Sequence, residues 1–129
     1  MSTELCYLTM SAALAMILWV PYVLARVQAW GLINTLGYPA DQPELPAWAR
    51  RAERAHYNLL ENLAPFAVLV IVAQVSNVQT DHTALGAMLF FWARVAHAAV
   101  YILAIPFLRT LSFVVAWVGM VLLLVALLS

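Results

Sequence analysis

The chain has 129 residues, 66% of them hydrophobic and 9% charged, with a mean hydropathy of +0.92. A soluble domain is typically about half apolar and about a quarter charged, and a chain this short leaves too much surface exposed for burial to rescue such a composition, so it reads as a membrane protein. Its formal charge is +0, with six arginines and no lysine against six acidic residues; that excludes a basic nucleic-acid binder or a polybasic membrane-surface protein, and the single cysteine, Cys6, excludes an internal disulfide or a cysteine-built metal site.

A spanning helix needs roughly 20 mostly apolar residues, because the hydrocarbon core is about 30 Å thick and a helix rises about 1.5 Å per residue. Residues 5–25 form the first such segment, uncharged and closed by Arg26. It lacks a positive flank and its apolar run is too long for a cleaved signal, so it is expected to be a span. The one substantial loop covers residues 31–46, with Gly37, Pro39, Pro43 and Pro46 as turn residues. Pro46, Ala47 and Trp48 read as the first turn of the second helix. That helix begins outside the hydrocarbon with Arg50, Arg51, Glu53 and Arg54 and sinks into it beyond Glu61. The second span is residues 62–80, with an apolar body over 63–75 that Pro65 is expected to kink. A short loop around residues 76–82 leads to the third span, 82–108, apolar except for Arg94 and His97. A tight turn at Pro106 precedes the fourth, 110–129, which is uncharged. The expectation is one all-α, four-helix membrane domain over residues 1–129, without internal repeats.

Orientation follows from the arginines. Four spans place Arg26, Arg50, Arg51, Arg54 and Arg109 on one side, and the other side carries Glu4 and Asp81 but no basic residue. The positive-inside rule puts the arginine side in the cytoplasm and both termini opposite.

Ionisable groups inside a span are costly and usually face the bundle interior at functional sites. Arg51, Arg54, Asn58 and Glu61 on the second helix are spaced by three, four and three, which makes one stripe. Arg94, His97 and Tyr101 make a second stripe on the third helix. Arg26 ends the first helix and Arg109, with Thr110 beside it, opens the fourth at the same level. One reading pairs these charges structurally, with Glu61 neutralising Arg94 or Arg54. The stripes with Arg26 and Arg109 hold five arginines against one Glu, however. That excess favours a site for a small anionic ligand, reached from the cytoplasm and open to lipid on its flank. His56 lies off the arginine stripe and reads as an ordinary interface residue, and Cys6 as an inert apolar filler. Gly86 and Gly119 read as close helix contacts. No metal-ligand set, nucleophile elbow or nucleotide loop is present.

The stretch from Glu53 to Phe66 resembles the family of membrane-associated proteins in eicosanoid and glutathione metabolism (MAPEG). The family's helix-two signature, E-R-x-x-x-x-N-x-x-E-x-x-x-P-F, falls here on Glu53, Arg54, Asn58, Glu61, Pro65 and Phe66. Arg94-Val-Ala-His97 followed by Tyr101 is similar to the helix-three run of the prostaglandin E synthase type, and Pro106 and Arg109 to its Pro-then-Arg approach to helix four. The resemblance covers essentially the whole chain. It implies a homotrimer of four-helix subunits with glutathione sites between adjacent subunits. It also implies that Arg26, Arg51, Arg54, Asn58, Glu61, His97 and Tyr101 hold glutathione and that Arg109 stands near the thiol, where the Tyr101 hydroxyl is chemically suited to donate to the sulfur as well. Tyr57 departs from the pattern, standing where the prostaglandin synthase type has a further Arg, which argues against the eicosanoid specialists.

The chemistry agrees with that implication. Glutathione carries two carboxylates and one amine, which suits several Arg and one Glu. A guanidinium holds a carboxylate bidentately, and a neighbouring Arg stabilises a thiolate. The leading expectation is a glutathione transferase acting on lipophilic electrophiles, or a peroxidase reducing lipid hydroperoxides. The alternatives are a non-enzymatic lipid-binding protein of the same fold and a small transporter or accessory subunit with structural buried charges.

Overall fold

The computed structural model describes residues 1–129 as six helices: α1 (Thr3–Ile17), α2 (Trp19–Trp30), α3 (Leu32–Leu36), α4 (Ala47–Val75), α5 (Asp81–Ile102) and α6 (Leu108–Leu128). Four stretches are long and apolar enough to cross a membrane: Thr3–Trp30, Ala47–Val75, Asp81–Ile102 and Leu108–Leu128. The protein is therefore a multi-pass integral membrane protein with an all-α, four-span architecture. The spans fall where the hydropathy put them, with shifted limits: the third stops at Ile102 rather than 108, and the fourth begins at Leu108.

The first span is two helices, a break that the apolar run conceals. Pro21 has no N–H to give Ile17's carbonyl and its ring crowds that carbonyl, so α1 ends at Ile17 and α2 starts beyond Leu18. Ser2 caps α1 by accepting from the Leu5 N–H at 3.2 Å. The loop expected over residues 31–46 contains the short α3, entered through Gly31 at φ 84°, a conformation that suits glycine. Pro46 stands just ahead of α4 rather than inside its first turn, and its carbonyl accepts from the Ala49 and Arg50 N–H groups. The α4 helix runs on through Pro65 without a break.

The α5 helix lies at the centre, touching α1, α4 and α6. Phe66 of α4 and Phe90 of α5 stack with centroids 3.9 Å apart, among Leu59, Val70, Met120 and Leu123. Gly86 and Gly119 let α5 and α6 touch backbone to backbone: a Cβ on either would come within 2.5 Å of the other's carbonyl oxygen. The expected close contact is therefore real.

His56 is not at an interface with water but buried. Its Nε2 lies 2.9 Å from the Ala15 carbonyl, which can only accept, so Nε2 carries the proton. Its Nδ1 pairs with the Tyr22 hydroxyl at 2.7 Å, which ties α4 to both sides of the α1–α2 break. Cys6 is exposed on α1 rather than packed as a filler. At one end of the bundle the Thr80–Thr83 capping box starts α5, and Thr83's hydroxyl donates to the buried Glu4 carboxylate of α1. The polar stripes gather toward the other end.

Candidate functional site

At that other end, α4 begins while α2 and α5 finish and α6 starts. Arg51, on the second turn of α4, donates from Nε to the Ile102 carbonyl at 3.0 Å. This is one of the four carbonyls that an ending helix leaves without an internal partner. The terminal nitrogens of Arg51 make no hydrogen bond within the chain, and Arg51 lines a cavity of about 450 Å³. Its other walls are the α5–α6 turn from Val100 to Phe107, with Tyr101, Arg109 and Thr110 the remaining polar residues of the lining. Ligand pockets typically measure roughly 300–1,000 Å³, so the cavity is of ligand size.

The turn that shapes this cavity is strained twice within four residues. Ala104 sits at φ 59° as the left-handed residue of a Schellman motif, with Ile105 N–H donating to Val100 O at 2.9 Å and Ala104 N–H to Tyr101 O at 3.1 Å. Phe107, at φ 66° and ψ −46°, is the centre of a γ-turn closed by Leu108 N–H on Pro106 O at 2.8 Å. That is the rare, strained form of this turn. Strain of this kind clusters at functional sites, where the surroundings over-determine it.

A second cavity of about 250 Å³ adjoins the first through Tyr101, Arg109 and Thr110, and is completed by Asn58, His97 and Phe113. Arg109 lies over the Tyr101 ring, its Cζ 5.2 Å from the centroid. His97, buried on α5, meets Tyr101 edge-on at 5.4 Å and makes no hydrogen bond within the chain. Arg109, Tyr101, Thr110, Asn58 Nδ2 and the ends of Arg51 are thus free donors along one lining that contains no carboxylate. That donor set suits an anionic or acceptor-rich ligand.

The other expected site residues stand elsewhere in the chain. Arg26 is engaged by Glu53 at 2.7 Å, with its guanidinium over Tyr22 and Trp30. Arg54 and Glu61 are exposed on α4, make no hydrogen bond or ion pair and line neither cavity. The suggested neutralisation of Arg94 or Arg54 by Glu61 does not form, because Arg94 points at Asn58 while Glu61 projects outward. Sequence reasoning missed Phe113, whose ring lies 6.0 Å from the Arg94 Cζ, and the strained turn at Ala104 and Phe107. Only Pro106 hinted at the turn, and nothing in the apolar run of α6 singled out Phe113.

An apolar groove of about 280 Å³ runs between α5 and α6 over Ala93, Ala96, Leu111 and Val115, and meets the first cavity at Val100. The small side chains of Ala93 and Ala96 open it. In comparisons with known proteins, the MAPEG family model matches residues 9–129. Neither a curated protein nor a solved structure matches the chain significantly.

Proposed function

This chain belongs to the MAPEG family, and from that premise we propose that it is a membrane-bound glutathione transferase or peroxidase acting on lipophilic electrophiles or lipid hydroperoxides. The observation that carries the reading is the carboxylate-free, donor-lined double cavity that has Arg109 and Tyr101 in both of its parts and an apolar groove at its edge. Glutathione fits such a lining because its two carboxylates need guanidinium and hydroxyl donors, and when bound it supplies a thiol as nucleophile.

Within this reading Arg51, Asn58 and His97 hold the peptide. Arg109 keeps a positive charge beside the sulfur, and Tyr101 directs its O–H at the same atom. A free thiol titrates near 8.5, and an adjacent guanidinium lowers that value and enlarges the thiolate fraction at neutral pH. The groove between α5 and α6 takes the apolar part of the second substrate from the lipid side.

Arg54 and Glu61, unpaired on the outer face of α4, call for a covering partner, since charges left facing lipid are expensive. A homotrimer whose subunits meet along α4 would cover them and add them, with Arg26, to the glutathione contacts of a neighbouring subunit. Native mass spectrometry from mild detergent should give a trimer; a stable monomer as the only species would remove the intersubunit site. The arginine-rich end is assigned to the cytoplasm and both termini to the opposite side. In a Cys6→Ser background, Gln42→Cys is then expected to resist an impermeant thiol reagent in intact cells.

The decisive experiment is calorimetric titration of glutathione into the purified protein, alongside conjugation of a generic chloronitrobenzene. Binding with turnover is the expected result. The apolar groove also suits a protein that binds lipid without glutathione chemistry, and lipid binding with no glutathione heat would favour that second reading.

A further inference from the structure

Arg94 is the largest fully buried side chain of the protein, 1% exposed at the middle of the bundle. Neither of the two ion pairs includes it. Its one hydrogen bond runs from Nη2 to Asn58 Oδ1 at 2.6 Å, while Nε and Nη1 are buried without any acceptor. Phe113 offers it a ring face at 6.0 Å and nothing more. A buried charge without a counter-charge is costly, and an apolar residue of similar volume would pack at this position without that cost. The charge therefore needs a reason beyond packing.

Asn58 supplies one. A side-chain amide has an accepting oxygen and a donating nitrogen, whereas a guanidinium only donates. Arg94 therefore accepts only one orientation of Asn58: the oxygen must face the guanidinium, since the flipped amide would set donor against donor. Asn62 reinforces this, donating to the Asn58 backbone carbonyl at 2.8 Å and lying 3.5 Å from the same Oδ1. The Asn58 Nδ2 makes no hydrogen bond within the chain, and Asn58 lines the smaller cavity beside His97, Tyr101, Arg109 and Thr110.

We infer that Arg94 is a positioning residue, which locks the Asn58 amide so that its N–H face is turned to the cavity and the whole polar lining donates. The inference rests on the glutathione reading for the identity of the ligand, but not for the orientation of the amide. Arg94 also stands one layer behind the cavity with its charge uncompensated, so an anion there is drawn to it through a low-dielectric wall.

Two variants test this in the full-length protein in detergent, read by calorimetric titration with glutathione and by thermal unfolding. Arg94→Gln can donate or accept, so it releases the amide; the glutathione dissociation constant is expected to rise about tenfold, the loss of roughly one hydrogen bond to a charged group. A folded Arg94→Gln protein with wild-type affinity would overturn the inference. Asn58→Asp covers the case in which Arg94→Gln fails to fold. It gives Arg94 a counter-charge but turns an acceptor to the cavity, so its thermal midpoint should equal or exceed that of the wild type while glutathione affinity falls at least tenfold. A purely structural Arg94 would not separate the two readouts in this way, and unchanged affinity in Asn58→Asp overturns the role. If the wild type itself gives no glutathione heat, the proposed function fails, and the orientation is read from the Asn58 side-chain amide resonances by NMR: an NH₂ pair left unshifted by Arg94→Gln overturns the inference, a shifted or broadened one supports it.

Discussion

The α4 and α5 helices end in the same motif at opposite ends of the bundle, and the two copies differ in the residue that bears the left-handed backbone. At the end of α4 it is Asn77, φ 55°, with Val78 N–H on Ala73 O and Asn77 N–H on Gln74 O. At the end of α5 it is Ala104, φ 59°. Asparagine tolerates this conformation, whereas alanine has no local compensation for it. The surroundings differ in the same sense. Near Asn77, the Thr80–Thr83 capping box and the Glu4 carboxylate satisfy one another, and one helical turn beyond them Gly86 seats α6 on α5. Near Ala104 lie the γ-turn at Phe107, the free donors of Arg51, Tyr101 and Arg109, and the larger cavity. Both ends hold a cavity, the one near Asn77 measuring about 260 Å³ over Thr80, His82, Leu122 and Ser129, but only the Ala104 end combines two strained residues with unused arginine donors. This is the division expected when one region secures the fold and the other binds.

The largest expected effect lies toward the Asn77 end, at the Gly86–Gly119 contact. In Gly119→Val the new side chain starts 2.5 Å from the Gly86 carbonyl oxygen and 3.0 Å from the Phe90 nitrogen, both backbone atoms that cannot move aside. A loss of about 3 kcal/mol, roughly a 10 °C fall in the thermal midpoint, is expected. Circular dichroism on heating in detergent measures it, and an unchanged midpoint would mean that the backbone contact does not hold α5 to α6.

Arg109→Ala at the Ala104 end should show the opposite pattern. Arg109 is exposed and its guanidinium engages only the Tyr101 ring, so stability should move by no more than about 0.5 kcal/mol. Glutathione conjugation at neutral pH should fall by about a hundredfold, the scale for removing one preorganised group beside a developing or stabilised charge. The sign of the pH dependence follows from the same charge. Removing a cation raises the thiol pKa toward its free value near 8.5, so the pH–rate profile shifts to higher pH and part of the lost rate returns in alkali. An unshifted profile with intact turnover would move the role to Tyr101.

The smallest effect sharpens the comparison of the two turns. Ala104→Gly should stabilise by about 1 kcal/mol, because glycine adopts φ 59° without the Cβ penalty. Asn77→Gly should change stability by only a few tenths of a kcal/mol. If Ala104→Gly stabilises the protein while glutathione binding weakens, the strain serves the cavity; equal responses at the two positions would erase the distinction between the ends.

Much of this protein was legible in one dimension. Apolar run lengths located the four spans, the arginines marked one end of the bundle, and the spacing of Asn58 on one helix with His97 and Tyr101 on the next placed them on facing stripes. Gly86 and Gly119 read as close contacts because small residues in apolar helices have few other uses. The partners of the charges were not legible in the same way. Arg94 meets Asn58 instead of Glu61, Arg26 is taken by Glu53, and Arg51 serves the end of α5 as well as the cavity. The break at Leu18 was written in Pro21 but hidden by the hydropathy around it, and the double strain at Ala104 and Phe107 lies in the turn that joins α5 to α6, where only Pro106 marks the sequence. Periodicity gives the face of a helix on which a residue lies, because that depends only on 3.6 residues per turn. Which group waits opposite depends on the rotation and axial height of the neighbouring helix, and packing across the whole bundle sets these.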